Sequence, residues 1–435
     1  MYRSVQGSET VKHSAGSPVL LILVFILSFI CSGMKAQDSL DSYTVDKRSY
    51  DLYQEKKWKE LISFVDQALK QDHDYYYLRM RIGIAHYELG NFIAAQKHFE
   101  KALEFNSGDE LVLEYIYFCY LFSYRFEEAR NLSRKFPPAL AEKLKTADAS
   151  PIAYALVEAG QKVADSTRLL GRGHYAHVGL SHYVSNRFSL YHAFTYYSQG
   201  FGDSHKMSGK LTQLQYYISA NVPLKNNWQV APAFQWLTKT TALRILPAPP
   251  PPPPPGQPFP KLPEAKDSTV QDNYFVGSFN LKKIFSKFDL SFSTTVSSVF
   301  GANQFQHGLS ASYYPLKKRK LIAGCNAYMH TEDSYSSANF CFVPFLYVNP
   351  VKRLAFTFSY LNNTGGKNAV ENNGYIVNNS SDLTTSRWSG IATVNITKQF
   401  DLYGLYQFEN KTASAAKYTY HYNLFVAGIR IRPKR

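Results

Sequence analysis

The chain has 435 residues, 15% of them aromatic, a formal net charge of +15 and only four cysteines, too few for a disulfide scaffold. Thirty-three tyrosines suit a membrane–water boundary, where an apolar ring with a polar tip is at home. Charge is divided unevenly: residues 37–164 carry 17 basic and 20 acidic side chains, a net of −3, and Asp165 onward carries 28 and 12, a net of +16. Two regions of different chemistry follow from that contrast.

Residues 1–36 read as a signal peptide. Val19 to Ile30 is apolar apart from Ser28 and follows Arg3 and Lys12. A bilayer span needs about 20 such residues, so the run has the length of a signal-peptide core. Cleavage is expected before Gln37, after the small Ala36, and the bulky Ile30 argues against lipidation at Cys31. No later stretch is apolar for long enough to be a membrane helix. A chain of this kind enters a membrane as a closed barrel, the other fold that satisfies every backbone group in lipid.

Residues 42–145 show helical spacing with a fixed period. Trp58, Phe92 and Phe126 lie 34 residues apart, as do Leu61, Ala95 and Ala129, and Leu52, His86 and Tyr120. A 34-residue helical period resembles tetratricopeptide repeats, of which three are expected. The middle copy fits best, with Ile82-Gly83, His86, Leu89-Gly90, Ala95, Phe99 and Ala102; it departs at Arg79 and Ser107, where that family favours Trp and Pro. Such repeats stack into a concave surface that binds proteins. Tyr76 and Tyr117 are the candidate partner-binding rings; the bland alternative is a compact cap packed on its neighbour.

Residues 151–433 read as a barrel. Six times a short polar or basic turn leads at once into a large apolar residue and clean alternation: Arg187-Phe188, Asn227-Trp228, Lys287-Phe288, Lys320-Leu321, Arg353-Leu354 and Gln399-Phe400. After the third, Phe288, Leu290, Phe292, Thr294 and Val296 share one face, and Asp289, Ser291, Ser293, Thr295 and Ser297 the other. A period of two over about ten residues is a strand with one apolar and one polar face, the pattern of a transmembrane β-barrel. Thirteen strands are legible from Gly173 onward, and parity requires one more, which Ile152 to Val163 supplies. The count of fourteen puts both ends of the barrel on the periplasmic side, together with the helical repeats.

Phe188, Trp228, Phe288 and Phe400 then form an interfacial aromatic belt. A basic periplasmic rim follows from Lys317, Lys318, Arg319, Lys320, Lys352 and Arg353, which meets phospholipid headgroups or serves as a docking ring for the acidic repeats. The loop 246–266, with seven consecutive prolines from Pro249 to Pro255, is expected outside, as a stiff polyproline II spacer. Cys325 and Cys341 flank Asp333 symmetrically on neighbouring strands; a bridge is open to them, but a thiol on the lipid face behaves as a small hydrophobe.

Signal peptide, tetratricopeptide repeats and C-terminal barrel together resemble the YaiO-like outer-membrane β-barrel family. That resemblance implies an address in the cell outer membrane, with the repeats in the periplasm, rather than an activity. Exopolysaccharide-export porins of similar plan, with many more repeats, suggest glycan transport as the alternative. No catalytic, metal or cofactor site is expected: His174, His177, His182 and His192 crowd one hairpin without an orienting acid, and Gly171-Arg172-Gly173 lacks the context of a phosphate loop. The reading is therefore a non-enzymatic barrel in contact with outer-membrane lipid, its repeats recruiting a periplasmic protein partner, or alternatively a pore, with a glycan as cargo. The export signal argues against nucleic acid.

Overall fold

The computed structural model describes residues 40–433 except 148–149, 166–169, 186, 204–206, 248–252, 255–260, 262–263, 300–302, 333–337, 365–369, 378–381 and 414–417. The expected signal peptide lies outside the described residues, as does the proline run apart from Pro253 and Pro254.

Among the described residues, seven helices come first: α1 (Ser42–Gln54), α2 (Trp58–Lys70), α3 (Tyr76–Glu88), α4 (Phe92–Phe105), α5 (Glu110–Phe122), α6 (Phe126–Ser133) and α7 (Pro138–Lys143). Their starts repeat the 34-residue interval: Ser42, Tyr76 and Glu110 open the first helix of each pair, and Trp58, Phe92 and Phe126 the second. Asp41 and Asp109 cap α1 and α5 by accepting the backbone N–H groups of Thr44 and Val112. Small residues at Ala68, Ala95 and Ala102 let helices approach, and Leu61, Phe99 and Ile116 fill the gaps; all six are buried. A Cβ on Gly83 would lie 2.6 Å from Phe99 Cε1, so only glycine lets α3 meet α4 this closely.

The barrel begins with β1 (Ile152–Ala164), β2 (Leu170–Tyr183), β3 (Ser189–Asp203), β4 (Met207–Pro223), β5 (Trp228–Ile245) and β6 (Lys266–Ile284). It continues through β7 (Phe288–Ser297), β8 (Gln304–Tyr313), β9 (Leu321–Glu332), β10 (Ala338–Val351) and β11 (Leu354–Asn363). After a short hairpin, β12 (Val370–Glu371) and β13 (Ile376–Val377), it ends in β14 (Leu383–Asn395), β15 (Phe400–Thr412) and β16 (Thr419–Ile431). The fourteen long strands close antiparallel, β1 pairing with β16 from Ala155↔Ile431 to Ala164↔Tyr422. Closure leaves no unpaired edge, the condition for spanning a membrane.

Five of the six expected turn-and-strand units open a strand at the apolar residue named: Trp228, Phe288, Leu321, Leu354 and Phe400. The sixth strand opens at Ser189, one residue after Phe188. Alternation then sorts the side chains. Phe234, Trp236, Phe292, Leu309, Phe358 and Phe425 are exposed on the outer wall, while Gln235, Thr295, Gln306 and Tyr422 are buried inside. β4, β5 and β6 have 17, 18 and 19 residues against 10 for β7, β8 and β11. A hydrocarbon core takes about 9–11 residues per strand, so this side of the wall stands well beyond it.

The start of β1 and the end of β16 share one end of the barrel, the near end, and the helical region sits there. Ser189 Oγ donates to Glu127 Oε1 at 2.6 Å. Arg130 lies over the Tyr183 ring at 4.5 Å and donates to the Ser150 carbonyl at 2.9 Å. Lys317 Nζ donates to the carbonyl of Glu88, the last residue of α3, where the helix dipole favours a cation.

Candidate functional site

Two features occupy the inside of the barrel. The first is the hairpin between β11 and β14, which turns inward. Its arms are only two residues each, too short to be stable alone. Its turn, Asn372-Asn373-Gly374, has φ values of 50°, 55° and 86°, the left-handed conformation that asparagine and glycine tolerate. What holds it is a set of polar anchors on the wall. Gln306 on β8 pairs with both backbone groups of Val370. Arg387 Nη2 on β14 donates to Glu371 Oε2 at 2.7 Å.

At the tip, Asn373 donates to the Ala231 carbonyl at 2.8 Å and accepts from Ser278 Oγ at 2.9 Å. Tyr375 packs edge-on against His177, Tyr191 and Tyr217, its hydroxyl 2.9 Å from His177 Nε2. Val370 and Val377 add to a small apolar cluster with Leu237, Tyr274 and Val276. The hairpin therefore reaches across the lumen from β14 to β2, β4, β5 and β6. Beside its base is a buried ionic group in which Lys162 Nζ lies 2.9 Å and Lys411 Nζ 3.9 Å from Glu409 Oε2. Such pairs inside a low-dielectric wall fix geometry more than they add stability.

The second feature is an open cavity of about 250 Å³ at the near mouth, lined by β6, β7, β8, the turn into β9 and, on the helical side, Tyr124. Arg319 is clamped there between two rings, 3.8 Å from the Tyr314 centroid and 5.1 Å from that of Tyr124. Its guanidinium faces Asp289 at 3.4 Å, and Asp289 also accepts the Tyr314 hydroxyl.

The expected site residues fall as follows. Lys317, Lys318 and Arg319 form a single 3-10 turn between β8 and β9, with Lys320 next, while Lys352 and Arg353 make the exposed turn between β10 and β11. Lys317 and Arg319 thus meet the helical region, and Lys352 and Arg353 face solvent. Trp228, Phe288 and Phe400 are exposed on the outer wall at this end, and Phe188 is half-buried. Lys283 Nζ rests 4.9 Å from the Trp228 ring, a cation beside an aromatic as at a lipid boundary.

Tyr76 and Tyr117, the candidate partner-binding rings, are half-buried rather than exposed. Tyr76 is half-buried against the α3–α5 core, and its hydroxyl donates to Asp109 at 2.6 Å. Tyr117 packs on Phe136 and the Leu113–Leu140 cluster. Both rings fill space between successive helices, which spacing alone does not separate from exposure. The most exposed rings of the helical region, among the described residues, are Tyr43 and Tyr77.

The four crowded histidines are divided by alternation. His177 points inward to Thr195 and Tyr191, and His182 and His192 meet edge-on on the opposite face. Among the described residues, no group of His, Cys, Asp or Glu could hold a metal ion. Cys325 and Cys341 are both free; Cys325 pairs across the sheet with Pro344, and Cys341 with Tyr328 on the buried inner face.

The inward hairpin was absent from the sequence reading, although Asn373-Gly374 ahead of Tyr375-Ile376-Val377 is a hairpin signal. The mouth cavity had no local signal, because its residues come from three successive strands, the turn into a fourth and a distant turn of the helical region.

No protein-family model matches the chain, and no curated protein matches it. Among solved structures, it is similar at 8% identity to the translocator domain of the autotransporter NalP from Neisseria meningitidis, over 71% of this chain and 96% of that one, with a TM-score of 0.32. The Ralstonia pickettii toluene transporter TbuX matches at 9% identity over 66% of this chain and 90% of that one, with a TM-score of 0.44. A Pseudomonas aeruginosa FadL homologue matches at 8% over 65% and 90%, with a TM-score of 0.42. Likeness at this level adds nothing to what the strand pattern already says.

Proposed function

We propose that the chain is a non-enzymatic outer-membrane β-barrel, YaiO-like in plan, whose tetratricopeptide region recruits a protein partner in the periplasm. One observation carries this reading. Tyr43, Tyr77 and Leu111 occupy the same place in successive repeats, 34 residues apart, and are 74%, 64% and 52% exposed. They stand at the N-terminal ends of α1, α3 and α5, whereas the barrel meets the region beyond the C-terminal ends, near Glu88 and Tyr124. Along α3 the separation is about 16 Å, at roughly 1.5 Å per residue. An apolar ladder turned away from its own barrel is a surface for another chain.

The lumen supports the same reading, since the hairpin crosses it and the helical region stands over its near mouth. A second reading, a gated pore with a polysaccharide as its cargo, draws on one fact: the hairpin is held mainly by polar anchors, which can exchange for water. Crosslinking in whole cells from photoreactive residues at positions 43 and 77 separates the two. Capture of a distinct protein is expected. Crosslinks only to this protein's own barrel overturn recruitment, and steady single-channel conductance of the intact chain puts the pore first.

A further inference from the structure

We infer that the outer wall holds a resident lipid: an acyl chain of a glycerophospholipid lies in an aromatic groove across β2, β3, β4 and β5. The inference goes beyond partner recruitment and rests only on the barrel standing in a bilayer.

Shape is the first reason. Val178, Phe194, Tyr216 and Trp236 stand directly opposite one another across four strands. Beside that row, Tyr196 and Leu214 make a second, paired across β3 and β4. By alternation all six point outward, and together with Ala176 they line an open groove of about 310 Å³. The Phe194 and Tyr216 rings meet at 4.8 Å with a tilt of 45°, so the groove has an aromatic wall. An apolar cavity of about 150 Å³ holds the six carbons of one benzene, so this groove has room for roughly a dozen. A chain lying in it touches protein on several sides, whereas a chain on a convex wall touches on one.

Depth is the second. The row lies five, five, seven and eight residues from the near ends of β2, β3, β4 and β5. At roughly 3.3 Å per residue and a tilt of about 45°, that is roughly 12 to 19 Å of depth. Half of a hydrocarbon core is about 15 Å, so the groove lies where acyl chains reach and soluble ligands do not.

The approach from the near leaflet is the third. Toward the near end on the same face, His182 and His192 meet edge-on at 5.3 Å, and His192 meets the Tyr216 ring at 6.5 Å. They lie one and three residues from the near ends of β2 and β3, at interface depth. Among the described residues neither imidazole has a hydrogen-bond partner, and a lipid ester or phosphate oxygen is the acceptor present at that depth. From Leu170 to Ile245 the sequence has seven Lys and Arg and one acid, Asp203, at the far end of β3. The outer face of these strands therefore presents no carboxylate to repel a lipid phosphate.

Trp388 supplies a control for the test. It lies on the outer wall of β14, 59% exposed and seven residues from the near end. β14 is seven places from β5 in either direction round the barrel, so Trp388 and Trp236 are diametrically opposed at similar depth. Two single-tryptophan chains, one keeping Trp236 and one Trp388 with the other tryptophans changed to Phe, are reconstituted with phosphatidylcholine brominated at mid-chain. Bromine quenches the rings it touches, and both chains should be quenched in the bilayer. After exchange into excess detergent, Trp388 should recover fully while Trp236 keeps at least half of its quenching. Ala176→Phe, which fills the groove with one more apolar side chain, should abolish that retention, its assembly being checked by heat-shifted gel mobility. The unsubstituted chain should carry one phospholipid after the same exchange by native mass spectrometry, which carries the test if a substituted chain fails to assemble. Equal recovery at both tryptophans, or no retained phospholipid, overturns the site. Full retention in Ala176→Phe overturns the groove as its place. Absence of quenching at either tryptophan in the bilayer overturns the membrane-spanning barrel with it.

Discussion

Val370 is held on Gln306 by two hydrogen bonds: its N–H donates to Oε1 at 2.9 Å and its carbonyl accepts from Nε2 at 2.6 Å. One side-chain amide thus acts as a strand partner for the base of the inward hairpin, in a place where both groups are buried. Leaving a buried donor or acceptor unmatched costs about 1–3 kcal/mol each. Gln306→Ala should therefore loosen the hairpin while the wall stays closed, since the ladder of β8 to β7 and β9 is backbone only. Cys341, buried on the inner face against Tyr328, is a native reporter. Its maleimide labelling should accelerate in Gln306→Ala, with brief channel openings in planar bilayers. Unchanged labelling and a silent bilayer would show that the other anchors suffice.

Phe288 and Phe292 test the depth of the outer wall. They lie on one face of β7, Phe288 at its first residue and Phe292 two pleat repeats deeper, and are 41% and 44% exposed. Equal exposure with unequal depth isolates the membrane from packing. A charge on the lipid face costs roughly 0–1 kcal/mol near the interface and roughly 2–4 kcal/mol for Arg or Lys at the midplane, acids costing less. Phe292→Asp should lower the heat-modifiable folded fraction more than Phe288→Asp. Equal tolerance at both positions, read on unheated gels, rules out this face as the lipid face.

Much of the architecture was legible because two periods are written directly into the residues. Trp58, Phe92 and Phe126 begin successive second helices, and Trp228, Phe288, Leu321, Leu354 and Phe400 begin strands, since each reports a local rule of spacing. Ile152–Ala164 was recovered by parity, a global constraint that acts on strand number rather than on propensity. Exposure within the repeats was harder. Tyr76 and Tyr77 are adjacent and chemically identical, yet the first reaches Asp109 and the second is 64% exposed. Choosing between them needs the helix phase to within one residue. The interior was least legible: Lys282, Asp289, Ser310 and Arg319 meet only once three strands have paired in register and the next turn folds back on them. The hairpin was written in Asn373-Gly374, but a loop signal does not say which way a loop folds.

His98 gives the helical region a pH dependence with a defined window. It lies in α4, its ring stacked on His86 with centroids 5.4 Å apart, and Arg79 Nη1 donates to its Nδ1 at 3.1 Å. That bond requires an unprotonated Nδ1, and Arg79 is itself held by Asp74 at 2.6 Å. Burial first, then the charges of His86 and Arg79, pull the His98 pKa down from 6.5 to about 4, with Asp74 opposing and Lys97 adding to the fall. His86 is lowered as well, by burial. The folded state thus holds these rings neutral, whereas the unfolded chain takes up protons near 6.5. Stability is fully present above pH 6.5, declines as pH falls below it, and the loss is complete below about 4. For His98 alone the loss is on the order of 3–4 kcal/mol at a scale of about 1.4 kcal/mol per pH unit. Thermal melts followed by the helical circular-dichroism signal should shift down between pH 7 and pH 5 in the full chain. In His98→Asn, whose amide oxygen still accepts from Arg79 and cannot titrate, that shift should shrink, leaving the part due to His86. A variant that keeps the full wild-type shift would place the proton elsewhere.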